Sequence, residues 1–316
     1  MRTGEALTLQ KFSHSLKLMG NNFTITVVET DALSAKRHID AAVGEIRRIE
    51  KLLTTFSDDS QTNQINAAAG IKPVEVDEEV FLLIERSIAI SKITQGAFDI
   101  SYGSIDKSLW NFDKTMTRLP DSAMAKKMVH LINYQNIILD RENCTVFLKE
   151  KGMRIGFGGI GKGYAAEKAK HLLKQNGVLG GIINASGDLT TWGCQPDGKP
   201  WTIGIANPDY PGAAFSYLGI SNKAIATSGN YEKFAVIGGK KYSHTIDPKT
   251  GLPITGIKSV SVICDNAEFA DAMATPIAVM GIEAGLYLVN QITGLYCIII
   301  DDDNNIYTSD NINLNE

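Results

Sequence analysis

Segments of helical and strand period alternate along this chain without settling into a regular strand–helix–strand rhythm, and that pattern constrains the fold more than any other feature. Phe23-Thr24-Ile25-Thr26-Val27-Val28 is β-branched and follows Asn21-Asn22, so it reads as a strand, and residues 34–53 place apolar side chains at helical spacing. The chain therefore opens as a strand followed by a helix. Residues 80–93 (Phe81, Leu83, Ile84, Ile88) make a second helix that stops before Gly96, and 121–131 a short third one that starts at Pro120-Asp121. Residues 136–139 and 145–148 read as a hairpin around Asp140-Arg141-Glu142-Asn143, and 163–175 as a further helix. Short strands follow at 181–184, 201–206, within 224–237 and at 260–264. A doubly wound parallel sheet needs its helices and strands in strict alternation. This irregular order instead predicts an α+β fold of mixed sheets with packed helices. No fixed-period repeat interrupts it, and the polar run 308–316 is expected to be a loose tail.

Composition narrows the function. The chain has 316 residues, enough to bury a large core as one domain or as two closely packed subdomains. A formal net charge of −4 provides no broad basic field, so nucleic acid is not an expected partner. Cys144, Cys194, Cys264 and Cys297 are far apart and form no CxxC pair, which predicts buried free thiols rather than a zinc site or a disulfide framework. No apolar run reaches the ~18–20 residues of a membrane-spanning helix. The first ten residues lack an apolar signal core, so the chain as given reads as cytoplasmic. A chain whose export signal had been removed would read the same way and belong to the periplasm.

Four clusters carry chemistry. In Ala270-Asp271-Ala272-Met273-Ala274-Thr275 a carboxylate and a hydroxyl stand one helical turn apart on a small, apolar helix start. Oxygen donors of this kind suit Mg²⁺, which takes its other ligands from water and substrate phosphates, although an Asp near a helix start can equally be a cap. Gly156-Phe157-Gly158-Gly159-Ile160-Gly161-Lys162-Gly163 crowds glycines before a helix, where backbone amides and Lys162 favour an anion. The spacing is that of neither a P-loop nor a Rossmann motif, and a plain strand-to-helix turn would look similar. Asn184-Ala185-Ser186-Gly187-Asp188 and Thr227-Ser228-Gly229-Asn230-Tyr231 are small polar turns after apolar strands, the usual places for site loops. Ser243-His244-Thr245-Ile246-Asp247-Pro248 offers His244 as a general base with Asp247 as a nearby carboxylate, or as a structural hydrogen bonder in a turn. A Ser-His-Asp hydrolase is disfavoured because no GxSxG elbow exists.

Taken in order, Leu18-Met19-Gly20, Thr55-Phe56-Ser57, Gly96-Ala97-Phe98-Asp99, residues 158–166, Ser186-Gly187-Asp188, Thr227-Ser228-Gly229, 242–253 and 270–275 resemble the ApbE-type FAD:protein FMN transferases. The likeness runs from about Leu16 to Gly281, and its specificity lies in the ordered set. It implies a single ApbE-like domain over 1–316, core about 16–300, built as two intimately joined subdomains with FAD bound between them and Mg²⁺ on its pyrophosphate. It also implies transfer of the FMN half of FAD to a Thr or Ser hydroxyl of an acceptor protein, within a short Asp-containing Ser/Thr-Gly-Ala-Thr type of target, with release of AMP. By position, Asp271 and Thr275 match the metal's side-chain ligands and Gly159 its backbone-carbonyl ligand. Met19, Phe56, Ala97, Phe98, Asp99, Lys162 and Thr245 fall on flavin-nucleotide positions, and Ser228 is assigned with them. His244 matches a histidine that assists deprotonation of the acceptor hydroxyl; Asp247, the carboxylate near it in sequence, is assigned as catalytic beside it on the residues alone, not on the resemblance.

The sequence departs from the family pattern at several positions: Gly156, Asn230 and Glu167 each replace an Asp, and Asn21 replaces a Thr. Gly156 matters most, because a carboxylate makes charge-assisted hydrogen bonds and glycine has no side chain. Pro276 directly after Thr275 is also unexpected within a helix. Two other activities fit the same residues. Water in place of the acceptor would make the chain an FAD pyrophosphatase giving FMN and AMP, and loss of the position-156 carboxylate would leave a catalytically weakened FAD-binding protein.

Overall fold

A computed structural model describes residues 8–106, 118–210, 214–229, 234–310 and 312. Asn230 and Tyr231 fall outside them, as do 311 and 313–316 of the expected tail. In chain order the elements are β1 (Gln10–Leu18), β2 (Asn21–Glu29), α1 (Ala32–Leu53), α2 (Gln61–Ala67), β3 (Val74–Glu75), α3 (Glu78–Ile93), α4 (Ser122–Met128), β4 (Ile137–Asp140) and β5 (Thr145–Leu148). They continue as α5 (Gly161–Gln175), β6 (Gly181–Ala185), β7 (Asp188–Trp192), β8 (Trp201–Ala206), β9 (Ala214–Ile220), β10 (Ala224–Gly229), β11 (Phe234–Ile237) and β12 (Lys240–Ser243). The last are β13 (Ile257–Cys264), α6 (Ala267–Met280), α7 (Ile282–Asn290), β14 (Tyr296–Asp301) and β15 (Ile306–Thr308). Residues Met1–Glu50, Lys162–Ala226 and Ile263–Ala270 form one compact unit, and Lys51–Gly161, Thr227–Val262 and Asp271–Glu316 a second. The α+β class expected from the sequence is the class observed.

In the first unit an antiparallel ladder runs β1-β2-β6-β7-β10, with Leu18 opposite Asn21, Phe23 opposite Ala185, Ala185 opposite Asp188 and Ala224 opposite Thr190. Alternation explains why β2 is a strand: Phe23, Ile25 and Val27 share one face and are completely buried. β7 is buried at every position, and the Trp192 side chain at its end donates to the Val178 carbonyl at 2.9 Å. The long helix α1 buries Ala35, Ile39, Ala42, Val43, Ile46 and Ile49, a stripe at helical spacing.

The opening is therefore a hairpin rather than a strand followed by a helix. β1 escapes sequence reading because it is mostly exposed and offers only Phe12, Leu16 and Leu18 as a sparse apolar alternation, with Leu18 alone buried. Met19 and Gly20, with φ of 50° and 73°, make the two-residue turn that the right-handed twist of paired strands favours.

In the second unit β3-β5-β4 form a small antiparallel sheet, β13-β14-β15 a further ladder and β11-β12 a hairpin. A satellite core of Ile105, Met128, Val129, Ala235 and Ile246 is flanked by Tyr102, Leu119, Ile132, Ile237 and Leu252. It fixes the segment that carries His244 and Asp247, because Ile246 lies between them in sequence and is 2% exposed. In the segment expected to be loose, Ser309 is buried and donates its amide to the Cys297 carbonyl at 3.0 Å, and the Asp310 amide donates to Asn290 at 2.9 Å.

All four cysteines are free, but only Cys264 and Cys297 are buried; Cys194 is exposed, contrary to expectation, and Cys144 is half-buried. Burial pushes the Cys264 thiol up to about 11 and the Cys297 thiol up to about 12. Only thiolates react readily with alkylating agents. Iodoacetamide at pH 8 should therefore label native protein first at Cys194 and leave Cys264 and Cys297 for the unfolded chain, a pattern that peptide mass mapping reads directly. No helix among the described residues is long and apolar enough to cross a membrane.

Candidate functional site

Helix α6 carries the proposed metal half-site in the second unit. It starts at Ala267, so Asp271 stands in its second turn rather than at its start. The cap explanation for this carboxylate therefore fails. Asp271 is 6% exposed, on a helix whose Ala270, Ala272, Met273, Ala274 and Ile277 are also buried. Thr275, one turn further on, donates its hydroxyl to Ser228 Oγ on β10 at 3.4 Å, a long contact. Ser228 thus stands beside a metal-ligand candidate rather than apart from it. The neighbouring Thr227 bonds Ser261 on β13 at 2.8 Å, which fixes this stretch of β10.

Pro276 lies inside α6. Lacking an N–H, it leaves the Ala272 carbonyl without its helical partner, at a cost of about 3 kcal/mol in an isolated helix. Burial of α6 offsets that penalty, since Ile277 directly after the proline is fully buried.

The glycine-rich run forms the turn into α5. The Gly161 amide donates to the Phe157 carbonyl, and Gly159 lies against the Phe98 ring, which a Cβ at 159 would meet at 3.7 Å. Ala97, Phe98 and Asp99 are buried in the same unit. Asp99 organises its loop. Its Oδ1 accepts from the Ser101 amide at 2.8 Å and hydroxyl at 2.6 Å, and its Oδ2 from the Tyr134 amide at 2.7 Å. Burial nevertheless raises its pKa, against the lowering effect of those bonds. A cleft of about 360 Å³ opens beside it, lined among others by Lys92, Gln95, Tyr134 and Lys249.

Phe56, also in this unit, is 98% exposed, an unusual state for a large aromatic and one suited to stacking on a planar ring. Gly156 donates its amide to the Ile100 carbonyl at 2.9 Å, and a Cβ built on it would meet only Thr55 Cγ2 at 3.7 Å. The backbone thus leaves room for a side chain there.

His244 is exposed at the end of β12, and Thr245 follows with its amide donated to the Ser243 hydroxyl at 2.9 Å. The segment pairs with 252–254: Ile254 donates to the Thr245 carbonyl and Asp247 to the Leu252 carbonyl. Between those bonds the Ile246 N–H points away from the partner strand, and the Tyr102 hydroxyl accepts it, which holds the half-buried phenol beside this strand. The Asp247 carboxylate accepts from the Lys249 amide at 2.8 Å and the Thr250 hydroxyl at 2.9 Å, the arrangement that closes the following turn. That turn ends at Gly251, where φ is +71° and a Cβ would meet the Ala125 carbonyl oxygen at 2.1 Å, so only glycine fits.

Two assigned residues, Met19 and Lys162, belong to the first unit. Met19 stands in the β1–β2 turn, where Asn21 donates its side-chain amide to the Met19 carbonyl at 2.9 Å. Lys162, in the first turn of α5, forms an ion pair with Asp188. Glu167 has a structural place: it accepts from the Ala267 amide at the start of α6 at 3.0 Å and pairs with buried Lys170 at 2.5 Å. Sequence reasoning missed Asp188, Tyr102 and Ser101. Asp188 was visible within a turn motif, but the lysine that it meets lies 26 residues away.

A sequence model of the ApbE family matches residues 19–299. A protein named FAD:protein FMN transferase from Klebsiella pneumoniae (strain 342) is 32% identical over 94% of this chain and 92% of its own length. An ApbE protein from Thermotoga maritima superposes with a TM-score of 0.85 at 29% identity, covering 95% of this chain and 97% of its own. The apo form of a Pseudomonas stutzeri flavinyl transferase, ApbE, gives a TM-score of 0.83 at 25% identity over 96% and 95% of the two chains. The match spans both units and all of the assigned positions, and this chain belongs to the ApbE family.

Proposed function

We propose that this chain is an FAD:protein FMN transferase that moves the FMN half of FAD to a Ser or Thr hydroxyl of an acceptor protein and releases AMP. The observation that carries this reading is the pairing of the ApbE family match over residues 19–299 with a buried Asp271 and a Thr275 one helical turn apart on α6. Asp271, Thr275 and the Gly159 carbonyl are oxygen donors with a single negative charge between them. Among the described residues no group of three or more His, Cys, Asp or Glu forms a metal cage. Such a sparse set fits Mg²⁺, which dehydrates reluctantly and shares its coordination with substrate phosphates. When bound, the ion would neutralise charge on the pyrophosphate.

The protein's own residues do the rest. Lys162 and the N-terminus of α5 favour the anionic pyrophosphate, and exposed Phe56 offers a face to the flavin ring. His244 takes the proton of the acceptor hydroxyl as its oxygen bonds to the FMN phosphorus; the bond from that phosphorus to the bridging oxygen breaks, and AMP leaves with that oxygen. Asp247 serves by closing the turn after His244 and Thr245, since its carboxylate is engaged within that turn.

Incubation with FAD and Mg²⁺, with and without an acceptor carrying the target sequence, separates this activity from hydrolysis. Transfer gives acceptor-dependent AMP and a fluorescent acceptor band; AMP without a labelled band would mean a pyrophosphatase, and FAD binding without AMP an inactive flavin binder. The space at Gly156 adds a quantitative test. Gly156→Asp should fold normally and tighten FAD binding by roughly tenfold, the worth of one charge-assisted hydrogen bond, in fluorescence titrations. Unchanged affinity would show that this chain holds the nucleotide without a carboxylate at that position.

A further inference from the structure

We infer that Asp188 is a positioning residue for the nucleotide phosphates, acting through Lys162. The inference rests on the reading of Lys162 as a phosphate contact, and three observations carry it. First, Asp188 is held rigidly. It opens β7 opposite Ala185, directly after the Ser186-Gly187 turn, whose φ values are 58° and 104° and whose Gly187 amide donates to Asn184 Oδ1 at 2.8 Å. Second, the carboxylate is buried, with only 7% of its side chain exposed, while the Lys162 side chain retains 22%. The acid is thus anchored inside the unit while the lysine still reaches its surface. Third, the contact is an ion pair between Lys162 Nζ and Asp188 Oδ2, joining the first turn of α5 to the sheet.

A lysine side chain has four rotatable bonds and, left to itself, spreads its ammonium over many positions. Pinning one of its three N–H donors on a buried carboxylate concentrates the charge at the positive end of α5, where it can meet a phosphate oxygen without first losing that freedom. Asp188 therefore strengthens phosphate binding although its own charge would repel the ligand. A pair serving only to join α5 to the sheet would affect stability and leave the ligand alone.

A double-mutant cycle on FAD affinity distinguishes the two, with FAD titrated against the full chain in Mg²⁺ buffer and fluorescence quenching as the signal. Lys162→Met should weaken binding by roughly 10–100-fold, the range of a lost charge-assisted contact. Asp188→Asn alone should weaken it about 5–20-fold, and the double variant should be no weaker than Lys162→Met, because the aspartate acts through the lysine. Additive losses in the double variant, or unchanged affinity in Asp188→Asn, would overturn the inference while leaving Lys162 as a ligand. Unchanged affinity in Lys162→Met would remove Lys162 from the site and the inference with it. If Asp188→Asn does not fold, Asp188→Glu keeps the charge and shifts it by one methylene; it should weaken binding in the wild-type background and have no effect beside Lys162→Met, and additivity there would again contradict the role.

Discussion

Asp271→Ala is expected to abolish Mg²⁺-supported FMN transfer while leaving a folded protein. The carboxylate is the one anionic group among the three proposed metal ligands, so its loss leaves a hydroxyl and a backbone carbonyl, too weak a set to hold a hard divalent cation. The structural cost should be small. Asp271 lies in the second turn of α6, away from the cap, and alanine is a better helix former than aspartate at that position. The circular dichroism spectrum should be that of the wild type, and the melting temperature should move by only a few degrees. Calorimetric titration of Mg²⁺ into the FAD complex gives a readout independent of turnover: the wild-type isotherm should vanish in the variant. Transfer at wild-type rates, or an unchanged isotherm, would show that α6 does not carry the metal.

His244→Asn should lower single-turnover transfer by roughly 10²–10⁴-fold, the range for a positioned general base, with FAD affinity nearly unchanged. The two outcomes must be measured together. His244 is exposed, and the strand that carries it is held by neighbours, through Ile246 in the satellite core, the Tyr102 hydroxyl and the Asp247 turn. Removing the imidazole should therefore leave the loop in place. A base must be neutral to act, so the wild-type rate should fall toward low pH as the imidazole takes up a proton, and the variant should lose that limb. A variant that loses stability or FAD binding but keeps the limb would make His244 a structural residue; near-normal transfer with an unchanged profile would remove it from the chemistry.

Strong local periodicity carried much of the fold. The stripe of α1 and the alternation of β2 each bury one face, and that face is written in the sequence at fixed spacing. β1 was not legible because its stability comes from pairing with β2, residue by residue from Gln10 opposite Glu29, rather than from its own apolar content. The start of α6 was misplaced, since 270–275 reads as a helix start while the helix begins at Ala267; Pro276 argues locally against a helix, and burial of the segment outweighs it. At the site, the residue types were readable and the partnerships were not. Asp247 was readable as a carboxylate near His244, but the bonds that its oxygens accept from Lys249 and Thr250 in the next turn were not. Lys162 looked like a lone cation until β7 brought Asp188 to it. Glu167 looked like a departure from pattern, but it accepts the first amide of α6 from 100 residues away. Contacts of that kind depend on tertiary packing, which short-range pattern does not encode.

The account stands most directly on where the phosphorus goes. An acceptor domain bearing the Ser/Thr target, incubated with this chain, FAD and Mg²⁺, should gain one FMN, and peptide mass mapping should place it as a phosphoester on the target hydroxyl with one AMP released per acceptor labelled. AMP and free FMN with an unmodified acceptor, or no AMP at all, would contradict it.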